Sequence, residues 1–111
     1  MSNLIRRNLT LLKKLYKARV GDRRIILKTV NDDFLNALCE IVINILSGKI
    51  PLTTKQYTTL KKKKHHIRMF GDKRVNLDKK KRLINQHGAG FILPLLGAAL
   101  PFITSIFSRS D

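Results

Sequence analysis

Lys61, Lys62, Lys63, Lys64, Arg68, Lys73, Arg74, Lys79, Lys80, Lys81 and Arg82 put eleven cations into the twenty-two residues from 61 to 82, against Asp72 and Asp78 alone. Side chains of this kind at this density neutralise phosphates. Each cation that takes the place of a condensed counterion favours association by releasing that ion, and makes binding depend on salt. Lys outnumbers Arg in the set, which points to point-charge contact with phosphate rather than bidentate reading of base edges. Aromatic residues make up 6% of the chain and Trp is absent, so there are few platforms for stacking single-stranded bases. The expected partner is duplex DNA, bound without sequence preference.

No other chemistry of comparable strength is present. His65 and His66 are adjacent, so on a helix they point about 100° apart and cannot share one metal face. His87 has no Cys or carboxylate at ligand spacing. Cys39 is the only cysteine, which excludes a disulfide within the chain, and its apolar helical setting reads as a small buried hydrophobe. Gly-rich phosphate loops, nucleophile elbows, HExxH and CxxC are all missing. No catalytic residue, metal or cofactor is expected, and the chain does not read as an enzyme.

The elements that must carry the cations follow from charge and periodicity. Residues 1–28 carry a net charge of +8, residues 31–48 a net of −3 and residues 49–82 a net of +11, within a total of +16. The balance implies a polyanion, either nucleic acid or an anionic membrane surface. The start of the chain has no continuous apolar run, so no secretory signal is expected. Lys61–Lys64 and Lys79–Arg82 each resemble short nuclear-localisation tracts.

Leu4, Ile5, Leu9, Leu12, Leu15 and Tyr16 recur at helical steps and predict a first helix over about 3–18, stopped by Gly21. Asp22 is placed to cap a short second helix holding Ile25, Ile26 and Leu27. Asn31 caps a third, in which Phe34, Leu35, Leu38, Ile41, Val42, Ile45 and Leu46 form a wide apolar face, with Gly48 at its stop. A fourth helix is predicted from Thr53 or Thr54 to about Met69, though Lys64 falls where an apolar residue is due. Asn76 or Asp78 starts a fifth, Lys79 to Asn85, buried through Leu83 and Ile84. The fold class is therefore all-α, a small basic bundle of four or five short helices followed by a hydrophobic C-terminal helical segment.

That last segment is chemically separate. Residues 83–107 contain no Asp, Glu, Lys or Arg. The division expected is a basic helical nucleic-acid-binding domain over 1–87, then a glycine joint and hydrophobic tail over 88–111. From Leu95 to Phe107 a helix covers only about 20 Å, short of the roughly 30 Å of a bilayer core. A docking or interfacial role fits the tail better than a span, with Phe91, Ile92, Leu93, Leu95, Leu96, Leu100, Phe102, Ile103, Ile106 and Phe107 as its contact residues. Packing of the segment on the third helix is the competing expectation.

Gly88-Ala89-Gly90-Phe91-Ile92-Leu93-Pro94-Leu95-Leu96-Gly97-Ala98-Ala99-Leu100-Pro101 resembles the C-terminal part of the adenovirus pX family, the precursors of the core peptide mu. From Ala37 to about Leu96 the chain resembles small Lys-rich proteins of Polinton/Maverick elements and adintoviruses. The residues carrying that likeness are Leu38-Cys39-Glu40, the turn from Ser47 to Thr53, Asp72 to Leu77, and Lys79 to Ile84. The resemblance implies a minor virion or core component that binds packaged DNA, located in the virion and the host nucleus. It also implies an adenain-like protease as partner, because Gln86-His87-Gly88-Ala89-Gly90 fits that protease's pattern with the cut before Gly90. The family's core peptide is Arg-rich and weakly patterned, whereas this chain is Lys-rich with a clear helical domain.

Three readings of function follow. The first is a DNA-condensing core protein whose tail docks on capsid protein or membrane. The second is a membrane-active accessory protein that binds anionic lipid. The third is a helix-turn-helix regulator presenting Thr54, Lys55, Gln56, Thr58 and Thr59 to base edges.

Overall fold

The most apolar of the amphipathic stretches, residues 32–46, becomes the hub of the structure. The computed structural model describes residues 2–87 and 90–108, and the described residues form seven helices with no strand: α1 (Asn3–Lys17), α2 (Val20–Thr29), α3 (Asp32–Leu46), α4 (Thr54–Lys61), α5 (Lys64–Gly71), α6 (Leu77–His87) and α7 (Ile92–Ser108). The all-α class follows directly from the three- and four-residue apolar spacing.

α3 starts where Asn31 Oδ1 accepts the Phe34 N–H at 2.9 Å, and Asp32 and Asp33 sit in its positive first turn. It ends at Leu46, and just past its cap at Ser47 the chain turns through Gly48, whose φ of 79° suits a residue without Cβ. Phe34, Leu35, Leu38, Ile41 and Val42 are fully buried along it, and α1, α5, α6 and α7 pack around it. On α1, Ser2 caps the helix, and Ile5, Leu12 and Leu15 point inward. Tyr16, expected on the same stripe, remains 44% exposed at the edge of the bundle.

Two helix starts differ from expectation. α2 begins at Val20, so Asp22 lies inside the first turn and no side chain caps the helix. There its charge still favours the positive end of the helix. The helix expected from Thr53 to Met69 is two helices. Thr53 and Gln56 form a reciprocal capping box that opens α4. The chain then leaves the helix at Lys62 and Lys63 and re-enters it at Lys64. A continuous helix would hold the like charges of Lys61 and Lys64 three residues apart, which is unfavourable. It would also put Lys64 on the apolar stripe. The break re-phases the chain so that Ile67 and Phe70 are buried while Lys61, Lys62, Lys63 and Lys64 all stay exposed.

The hydrophobic C-terminal segment is a core helix. Phe91, Ile92, Leu95, Leu96, Leu100 and Ile103 are each at most 7% exposed, and Leu93, Phe102, Ile106 and Phe107 are partly buried. The six buried residues, with Phe102 and Phe107 packed against them, share one hydrophobic cluster with Ile5, Phe34, Leu60 and Phe70, so the apolar segment packs with the basic helices. α7 packs on α1, α4 and α3, and runs through Pro101 to Ser108. The Arg6 guanidinium lies 4.9 Å from the Phe107 ring centroid and ties the end of α7 to α1. The physical reason is area: a bundle of short basic helices has too little apolar surface of its own, and an all-apolar helix supplies the missing face. Among the described residues no helix is long and apolar enough to cross a membrane.

Candidate nucleic-acid interface

The cations are displayed by α4, α5, α6 and the turns joining them, and the structure sorts them into three kinds. Lys61, Lys62, Lys63, Lys64, Arg68, Lys73, Lys79 and Arg82 are exposed, and none makes an ion pair among the described residues. Arg74 and Lys81 are engaged. Arg74 donates through Nε and Nη2 to the two oxygens of Asp72, both at 3.1 Å, while its backbone N–H donates to Asp72 Oδ1 at 2.9 Å. This closes the α5–α6 turn, and the guanidinium holds the Asp72 carboxyl below the ordinary carboxylate range. Lys81 Nζ lies 3.0 Å from Asp32 Oδ1 at the start of α3. The Asp32 side chain is 64% and the Lys81 side chain 38% exposed, so water screens the pair and it competes weakly with a phosphate.

Lys80 stands apart from the other cations. It was expected to contact phosphate, but it is 4% exposed. Its Nζ donates to Cys39 Sγ at 3.4 Å and stands 5.8 Å from the Phe70 ring centroid. The register of α6 explains this. Asn76 Oδ1 accepts the Lys79 N–H at 2.8 Å and fixes the helix start. Leu77, Lys80, Leu83 and Ile84 then fall on the face turned to the core. Burial pushes the Cys39 thiol up, against the pull of the Lys80 ammonium.

Six of these eight free cations border three separate hollows. Between α5 and α6, a groove of about 360 Å³ is lined by Lys79 and Arg82 with His65, His66, Met69 and Gln86, and contains no carboxylate. Arg68 borders a second hollow against α3 and α4. Lys73 borders a third, of about 840 Å³, between α1, α3 and the turn before α6. The rings of His65 and His66 are edge-on, with centroids 5.8 Å apart. No cluster of three or more His, Cys, Asp or Glu able to hold a metal ion occurs among the described residues.

Further basic surface lies on α1 and α2. Lys14, Lys17, Arg19, Arg24 and Lys28 are exposed there, and α2 packs on α6. The net +8 of residues 1–28 was the available signal. The α2–α6 contact and the hollow shared by α1 and Lys73, neither of which pattern gives, join it to the later cations. Other charged groups serve the fold. Arg7 donates to Asp33 at 2.7 and 3.0 Å and Asn8 donates to the same carboxylate at 2.9 Å, which holds the Asp33 carboxyl down at about 2.

The residues of the helix-turn-helix reading are mostly occupied locally. Gln56 completes the capping box, and the Thr58 and Thr59 hydroxyls donate to the carbonyls of Thr54 and Lys55. α4 packs chiefly on α5 and α7, so α3 and α4 do not form the paired unit that this motif requires. In the protease pattern, Gln86 and Gly90 are exposed, and Gly88 and Ala89 lie outside the described residues.

Comparison with known proteins adds no relative. No protein-family model, no curated protein and no solved structure matches this chain.

Proposed function

We propose that this protein binds and condenses duplex DNA without sequence preference, as a minor core or virion component of a virus or virus-like mobile element. The observation that carries the binding is the set of exposed cations on α4–α6, six of which border three hollows; of these the α5–α6 groove has two cations and no opposing carboxylate. Cations on several faces let one molecule touch more than one duplex, which is what condensation needs. The viral setting rests on the likeness of residues 37–96 to the Lys-rich Polinton and adintovirus proteins and of residues 88–101 to the pX family. The C-terminal segment does not enter the mechanism, because Phe91, Ile92, Leu95, Leu96, Leu100 and Ile103, the greater part of its apolar surface, are buried in the core.

The test is a salt series on two unrelated duplexes. If about six of the free cations meet phosphate, log K against log[salt] has a slope near about −5 for both duplexes. Replacing Lys61–Lys64 by Gln flattens the slope by up to about 4. A large preference for one duplex, or tighter binding to anionic vesicles than to DNA at equal salt, refutes the proposal.

A further inference from the structure

The hollow between α3, α4 and α5 has a different character from the α5–α6 groove. Leu46, Leu52 and Tyr57 contribute to an apolar floor, Lys61, Lys64 and Arg68 form the rim, and no carboxylate lines it. Leu46 is 51% and Tyr57 57% exposed, although each lies on the apolar side of its helix. A phosphate has no use for such a floor. A flat bilayer surface does not fill a concave hollow of this kind.

We propose that this hollow receives a short acidic amphipathic helix of a partner protein, with one or two apolar side chains in the floor and carboxylates against the rim. Its volume of about 280 Å³ is below that of most small-molecule pockets and matches anchor side chains. Three cations without an acidic neighbour select for negative flanks. A second copy of this chain does not fit. Two chains of +16 repel, Asp32, Asp33, Glu40 and Asp72 are already held by Lys81, Arg7, Ser2 and Arg74, and the exposed Asp22 and Asp78 are each followed directly by cations, Arg23 and Lys79. The apolar pattern on an acidic helix is what the hollow reads, at spacings of i, i+3 and i+4. The inference does not depend on DNA binding.

The test uses the full chain and a displayed library of random peptides of about four helical turns. The expected winners carry apolar residues at i and i+3 or i+4 flanked by Asp or Glu. A fluorescein-labelled winner loses at least about ten-fold in affinity when Leu46→Gln or Tyr57→Gln is introduced. These changes are charge-neutral and at exposed positions, so circular dichroism and the DNA salt slope stay as in the parent chain. Winners that are acidic without an apolar pattern, a scrambled winner that binds equally, or affinity unchanged by both substitutions overturns the proposal. So does preferential capture of phosphatidylglycerol vesicles or of a single-stranded oligonucleotide at the same residues.

Discussion

Lys79 and Lys80 are neighbours in one basic run, yet they should respond oppositely to the same substitution. Lys79→Met removes an exposed ammonium from the α5–α6 groove. If that ammonium meets a phosphate, the salt slope of duplex binding becomes shallower by about 0.9, while stability barely changes. Lys80→Met removes an ammonium that is 4% exposed and whose neighbours are a thiol at 3.4 Å and an aromatic face at 5.8 Å. Burying an ammonium costs several kcal/mol, and a cation over an aromatic ring returns about 0.5–2 kcal/mol. The Asp72 carboxylate also feels this charge, which returns part of the remainder. Met has similar length, fills the same channel, and replaces the cation–ring contact with a sulfur–ring contact of about 0.3–1.5 kcal/mol. The net expectation is a gain of about 1 kcal/mol, or about 4 °C in melting temperature for a domain of this size, with no change in salt slope. Thermal unfolding and fluorescence anisotropy on the two variants give both quantities. A lower melting temperature for Lys80→Met, or an equal loss of slope in the two variants, refutes the assignment of Lys80 to the core.

Other outcomes follow from the packing and the ion pairs. Leu96→Ala, at a site 0% exposed in α7, should cost about 2–5 kcal/mol and lower the urea midpoint by about 1 M or more; a negligible shift would mean that α7 is not structural. Gly71→Ala puts a methyl 2.8 Å from Val42 Cγ1, a stiff and buried neighbour. Crowding of about 1–3 kcal/mol outweighs the helix-propensity gain, and an unchanged or raised melting temperature would contradict that contact. Asp33 is lowered from 3.8 to about 2 by Arg7 and Asn8. A carboxyl depressed in the folded state stabilises above its ordinary value and loses that contribution as pH falls toward the lowered one. Asp33→Asn should therefore flatten the acid limb of the stability curve between about pH 4 and about pH 2; an unaltered limb in acid titration would refute the pairing.

Much of the helical plan can be read from the residues themselves. α3 shows its cap, its acidic first turn and its Gly stop, and α1 shows a clear stripe. The places that resist reading have definite causes. α7 is apolar on every side, so its pattern does not say whether it faces protein or lipid; only the packing of α1 and α4 against it decides. The break at Lys62 and Lys63 has a trace in the sequence, Lys64 at an apolar position, but a lysine can also be tolerated there by extending into water. Lys80 had a clearer trace, since Leu77, Leu83 and Ile84 stand three and four residues from it. Inside an uninterrupted run of basic residues, composition outweighs that spacing. The apolar hollow was not visible at all, because Leu46 and Tyr57 read as core residues until the surrounding helices leave them uncovered.

The burial of α7 changes what a cut between Ala89 and Gly90 would accomplish. Severing that peptide bond would not shed a greasy fragment. The piece carrying Phe91, Leu95, Leu96 and Ile103 would stay lodged against α1, α3 and α4, so a nicked molecule would travel as one particle through a native sizing column and come apart only in denaturant. Proteolysis there would act as a loosening of the chain's tether, making later unfolding harder to reverse, rather than as the liberation of a peptide.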